Sequence, residues 1–123
     1  MNLVESLICR AEIAYKSGSV KSAIRFAKQA LSELKTERLK LKVIDKEFST
    51  EIALRIFIAR AYSKLGLYRE SNVIYRELID EKTYLPPVIM GLLYNNFHIK
   101  SAKNISIVEK MGRNLGLIKV FVR

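Results

Sequence analysis

Before residue 85 the chain contains no proline and only two glycines, Gly18 and Gly66. Strand-rich folds reverse direction often, and their turns draw on glycine, proline and asparagine. A stretch this long with so little punctuation therefore reads as helices. Apolar spacing agrees. Over residues 3–16, Leu3, Leu7, Ala11, Ala14 and Tyr15 fall on one helical face, with Glu5, Glu12 and Lys16 elsewhere. Gly18 and Ser19 end that pattern, glycine supplying the positive φ of a helix C-terminus.

A second helix begins near Val20. Its stripe is Ala23, Ile24, Ala27, Ala30, Leu31 and Leu34, and its alanines let a neighbouring helix come close. Residues 36–50 fit two patterns: Leu39, Leu41 and Val43 alternate as in a strand, whereas Leu34, Leu41, Ile44 and Phe48 keep helical spacing. With no breaker nearby, the second helix is expected to run on to about Asp45, and Ser49 and Thr50 are expected as N-caps of the next. Residues 51–65 are apolar almost all round, so this third helix is predicted to be covered on more than one side. Gly66 ends it. A fourth helix from about Arg69 is expected to bury Ile74, Tyr75, Leu78 and Ile79.

Asp80–Tyr84 reads as a polar connection, and Pro86–Pro87 suits the first turn of a fifth helix, where a missing N–H costs nothing. That helix carries Val88, Ile89, Leu92, Leu93 and Phe97. The pattern predicts a turn around His98–Ser101, then a sixth helix over about 104–111 ending at Gly112. The apolar tail Leu117–Val122 is compatible with a strand, a truncated helix or an oligomer contact.

At 123 residues, half of them apolar and 28% charged, the chain is expected to form one folded domain. No apolar run reaches the roughly 18 residues of a membrane span, and Glu5 and Arg10 interrupt any secretory leader. A single cysteine, Cys9, permits no internal disulfide and suits the cytoplasm; it is expected to be a small packed side chain. Chemistry is sparse. His98 is the one histidine and Asp45 and Asp80 the two aspartates, and no phosphate-cradling glycine loop or paired-cysteine motif occurs. No cofactor, metal or catalysis is expected.

The chain repeats itself. Ala-Tyr-Lys-Ser-Gly at 14–18 and Ala-Tyr-Ser-Lys-Leu-Gly at 61–66 place Gly18 and Gly66 at equivalent bends, 48 positions apart (66 − 18). Ala11, Gly18, Ala23, Ala27, Ala30 and Leu31 of the first unit, and Ile58, Ala59, Tyr62, Gly66, Tyr68 and Tyr75 of the second, resemble the tetratricopeptide repeat family. Ser71 stands where that family keeps an alanine. Met90, Gly91 and Tyr94 are similar to the first helix of a third unit, with His98 in place of its turn glycine. A microtubule-interacting-and-trafficking domain resembles residues 3–35 almost as well but leaves the second glycine bend unexplained. The tetratricopeptide resemblance implies an all-α, right-handed array of about three antiparallel helical hairpins in one domain, with units near 3–35, 51–82 and 86–112.

The resemblance also implies a function: binding another protein or peptide in the groove lined by the first helix of each pair. Its positions here are Tyr15, Lys16, Arg60, Ser63, Lys64, Asn95 and Asn96. Arg60 stands out as a cation within an apolar helix, in need of a partner or water. The lysine–asparagine set with which some members clamp chaperone tails is missing, since Ile8, Glu12 and Ile56 occupy several of its places. The charge suggests a second reading. Lysine and arginine number 22 against 12 acids, a net of +10, and Lys21, Arg25, Lys28 and Lys35 fall on one face. If it continued through Arg38, Lys42 and Lys46, such a ridge would attract nucleic acid or an acidic protein. It equally suits the solvated side of an outer helix, interrupted by Glu33, Glu37 and Glu47. The expected partner is a protein or peptide, acidic if the cations take part, with nucleic acid second and a second copy through Leu117–Val122 as a further contact.

Overall fold

Residues 2–41 and 45–115 are described by the computed structural model, with side chains described over 2–36 and 50–101. The described chain is all-helical: α1 Leu3–Lys16, α2 Val20–Leu41, α3 Asp45–Lys64, α4 Tyr68–Asp80 and α5 Pro86–Leu115. Helix α1 starts where Asn2 Oδ1 accepts the Glu5 backbone N–H at 2.9 Å. Glu5 near its start and Lys16 near its end complement the helix dipole.

Gly18 (φ +91°) and Gly66 (φ +80°) occupy the same kind of bend. In each, the glycine N–H reaches back three residues (Gly18 to Tyr15, Gly66 to Ser63) and the next N–H reaches back five (Ser19 to Ala14, Leu67 to Tyr62). This Schellman pattern satisfies carbonyls that the helix end leaves free. The same pattern recurs at the end of α4, where Lys82 N–H bonds Ile79 and Thr83 N–H bonds Leu78. Lys82 takes the left-handed position there, at φ +61°. A Cβ in that region costs on the order of 1 kcal/mol. Lys82→Gly is accordingly expected to raise the thermal midpoint by a few degrees, and a lowered midpoint would rule out strain at this bend.

Two apolar clusters hold the helices. The first joins Val4, Leu7 and Ala11 of α1 and Val20, Ile24, Ala27, Ala30 and Leu34 of α2 to Leu54, Ile58 and Ala61 of α3. The second joins Ala59 of α3 to Tyr75, Leu78 and Val88, with Ile52 and Ile56 packed against it. Helix α3 thus contributes to both, as its nearly continuous apolar sequence predicts. Ala23, Ala27 and Ala30 are completely buried, as are Ala59 and Ala61; without longer side chains the helix axes approach closely.

Several expectations are corrected. Val4, not Leu3, is the first core residue, and Leu3 lies exposed: the buried stripe runs Val4, Leu7, Ala11, Ala14. Cys9, on the opposite side of α1, is exposed rather than packed. Ser49 and Thr50 lie inside α3, which already begins at Asp45, so neither is its N-cap; nothing between Asp45 and Lys64 breaks a helix. The turn expected at His98–Ser101 is absent, and the unit 86–112 is one long helix continuing past Gly112 to Leu115, not a hairpin. Serine, asparagine and a single glycine lower helix propensity by about 1 kcal/mol or less each, too little to break a packed helix. The tail Leu117–Val122 lies outside the described residues.

Candidate functional site

Helices α1, α3 and α5 each turn one face toward a shared groove of about 540 Å³. Tyr15 comes from α1, and Arg60, Ser63 and Lys64 from α3, while α5 supplies Pro87, Met90, Gly91 and Tyr94. Tyr75 of α4 forms part of the floor. Four of the seven groove residues expected from sequence therefore meet in one place: Tyr15, Arg60, Ser63 and Lys64. Lys16 lies beside them, in an adjoining hollow with Glu12, Tyr15, Phe57 and Arg60.

Aromatic packing fixes this surface. The Tyr15 and Phe57 rings meet at 5.4 Å between centroids, joining α1 to α3. Lys64 Nζ sits 4.5 Å from the Tyr15 ring centre, an arrangement that steadies an ammonium without neutralising it. Arg60 is exposed, and its guanidinium makes no ion pair among the described residues. Its charge is felt by Tyr75, whose phenol is nevertheless pushed above its ordinary range by burial; Arg60 and a Ser71 hydrogen bond oppose that shift. The groove thus pairs two cations with a neutral, apolar and aromatic wall.

Asn95 and Asn96 do not line the groove. Asn95 is completely buried, turned toward α3 and α4. Its amide donates to Ser71 Oγ at 2.8 Å and Asn72 Oδ1 at 2.9 Å, and its carbonyl oxygen accepts from Ser63 Oγ at 2.8 Å. Ser71 Oγ in turn donates to the Ala59 carbonyl at 2.6 Å, and Asn72 Nδ2 donates to Asn96 Oδ1 at 3.0 Å. Ser71, which accepts from Asn95 and donates to Ala59, is the hinge of this network. The groove residues missed from sequence are Tyr75, Pro87, Met90, Gly91 and Tyr94. Pro87, Gly91 and Tyr94, at four- and three-residue steps, form one helical face and carried the available signal.

His98 is a mid-helix residue held in a ring stack, parallel to Tyr68 of α4 (4.9 Å, 9°) and edge-on to Phe97 (5.6 Å, 89°). Among the described residues, no three His, Cys, Asp or Glu side chains gather as a metal-holding group, and no helix is long and apolar enough to cross a membrane.

Lys21, Arg25, Lys28 and Lys35 are all exposed, whereas the side chains of Arg38, Lys42 and Lys46 lie outside the described residues. Arg25 lies over the Phe26 ring and Lys28 over Tyr62. Lys28 and Lys35 line a cleft of about 400 Å³ with Glu51, Arg55, Glu77 and Glu81. Within it Arg55 Nη1 donates to Glu81 Oε1 at 2.9 Å, and Nη2 bonds the other oxygen; Glu77 lies 3.7 Å away. The Arg55 hydrogen bond, with weaker help from its charge and that of Lys35, holds the Glu81 carboxyl below the ordinary glutamate range. The native chain thus binds fewer protons here than the unfolded chain. The stabilisation is complete above the unfolded glutamate pKa and disappears as pH falls through the lowered native value. The gap in urea midpoint between the parent chain and Glu81→Gln is therefore expected to close on acidification below about pH 4, and a gap that widened would contradict the pairing.

Compared with family models, with curated proteins and with solved structures, the chain matches none.

Proposed function

We propose that this chain is a non-catalytic binding module, a tetratricopeptide-like array in which α1–α2 and α3–α4 are two hairpins and α5 is the first helix of a third. Its ligand is a peptide or protein segment carrying a carboxylate next to an apolar side chain, bound in the groove between α1, α3 and α5. The two like glycine bends and the small residues at the helix contacts support the array reading. A cytoplasmic location fits the lone cysteine.

The observation that carries the functional reading is the make-up of the groove: Arg60 and Lys64 beside Tyr15, Tyr75, Met90 and Tyr94. Cations without a carboxylate ion pair among the described residues give a peptide carboxylate something to pair with, and the aromatic wall takes an apolar anchor. Random peptides selected against the chain are expected to be enriched in acidic residues flanked by aliphatic or aromatic ones. By fluorescence polarisation, Arg60→Ala and Lys64→Ala should each weaken the selected peptide about tenfold, or about 1.4 kcal/mol. Affinity unchanged from the parent chain in both variants would remove the groove from consideration. A nucleic-acid reading predicts instead capture of arbitrary strands with steep salt dependence, abolished when Lys21, Arg25 and Lys28 become glutamine. The carboxylates beside Lys28 and Lys35 favour the peptide reading.

A further inference from the structure

From Thr83 to Ile99 the chain carries no Asp, Glu, Lys or Arg, although 28% of its residues are charged. This run covers the start of α5, and only part of it is used internally: Val88 and Asn95 are buried, and Leu92 packs against the second cluster. The opposite side of the helix is apolar too. Leu85, Ile89, Met90, Leu93, Tyr94 and Phe97 are between 43% and 67% exposed. A helix that is apolar on every side is normally covered on every side.

We infer that this outward face of α5 is a self-association surface, covered by the same face of a second copy. Three observations select that occupant. First, two chains of net charge +10 repel each other, and a face without charges is where they can meet at least electrostatic cost. An acidic partner would be drawn to the cationic faces elsewhere. Second, the area suffices. With about 200 Å² for a large side chain, the six residues offer on the order of 650 Å² per copy before any rim is counted, against about 800 Å² per partner in a standard interface. Third, the stripe is self-complementary. Ile89, Leu93 and Phe97 follow at four-residue steps, so an antiparallel crossing about a twofold axis at Leu93 sets Ile89 of each copy against Phe97 of the other.

Sedimentation equilibrium of the full chain between about 1 and 200 μM tests the inference. Mass is expected to rise from monomer to dimer across that range, and Leu93→Glu is expected to weaken the dimer at least tenfold while far-UV circular dichroism stays unchanged. In a Cys9→Ser background, Leu93→Cys should form a disulfide dimer on mild oxidation, and Ile89→Cys should not. A parent chain that remains monomeric throughout overturns the inference, as does a dimer indifferent to Leu93→Glu. Met90 and Tyr94 lie on the edge that this face shares with the groove, so a dimer would compete with a groove-bound peptide; the groove itself is read separately, through Arg60 and Lys64, which lie outside the face.

Discussion

Gly91→Ala should lower the thermal midpoint by about 8 °C, a net loss of about 2 kcal/mol. Helix propensity alone predicts the reverse, because alanine in a helix interior is favoured over glycine by about 1 kcal/mol. The sign is decided by Tyr75. A Cβ built on Gly91 would lie 2.3 Å from Tyr75 Cζ and 2.6 Å from its hydroxyl oxygen. The ring cannot simply swing aside, since Tyr75 is 1% exposed and packs in the second cluster. Either the ring leaves its well or α5 moves away from α4, and both loosen Val88 and the Asn95 network. Tyr75→Leu in the same chain should recover much of the loss, a coupling that a double-mutant cycle measures. A midpoint that rises in Gly91→Ala would mean that α5 does not press on this ring.

Asn95→Leu should cost about 3 kcal/mol, measured from urea denaturation midpoints. Leucine keeps the branched shape but is larger, so some overpacking adds to the loss of the hydrogen bonds. Three polar groups lose a partner at once: the Ser63 hydroxyl, Ser71 Oγ and the side-chain oxygen of Asn72, a residue only 4% exposed. Polar groups stranded in a buried position carry their full desolvation penalty. Replacing Ser63 by alanine and Asn72 by leucine along with Asn95→Leu should return most of the stability. A single variant within about 0.5 kcal/mol of the parent would show that water reaches these groups.

Legibility from sequence followed the local rules and failed where tertiary contacts decided. Both glycine bends and the helices they join were readable, because a positive φ has a residue-type signature. The third bend was not, because Lys82 carries none. The missing turn at His98 has the converse origin. Family spacing suggested a bend there, but no residue in the segment breaks a helix, and Tyr68 holds the imidazole in place. At the groove, Arg60 and Lys64 were identifiable as cations on an apolar helix. Asn95 was misplaced because asparagine reads as surface, and only the hydrogen bonds offered by Ser63 and by the buried Ser71 and Asn72 explain its inward orientation. Met90, Gly91 and Tyr94 matched the repeat pattern, yet which of them faced the groove depended on how α5 settles over Tyr75.

Because α3 belongs to both apolar clusters, the molecule is two blocks sharing one wall. The groove crosses the seam between them: Tyr15 belongs to the amino-terminal block, whereas Gly91 and Tyr94 belong to the carboxy-terminal one. Ile74 of α4 packs against both clusters, so the seam is bridged from α4 as well as through α3. A ligand in the proposed groove would touch both blocks, acting as a clasp across the seam. Its binding energy would then depend on how one block fits against the other, beyond the contacts made by any single side chain.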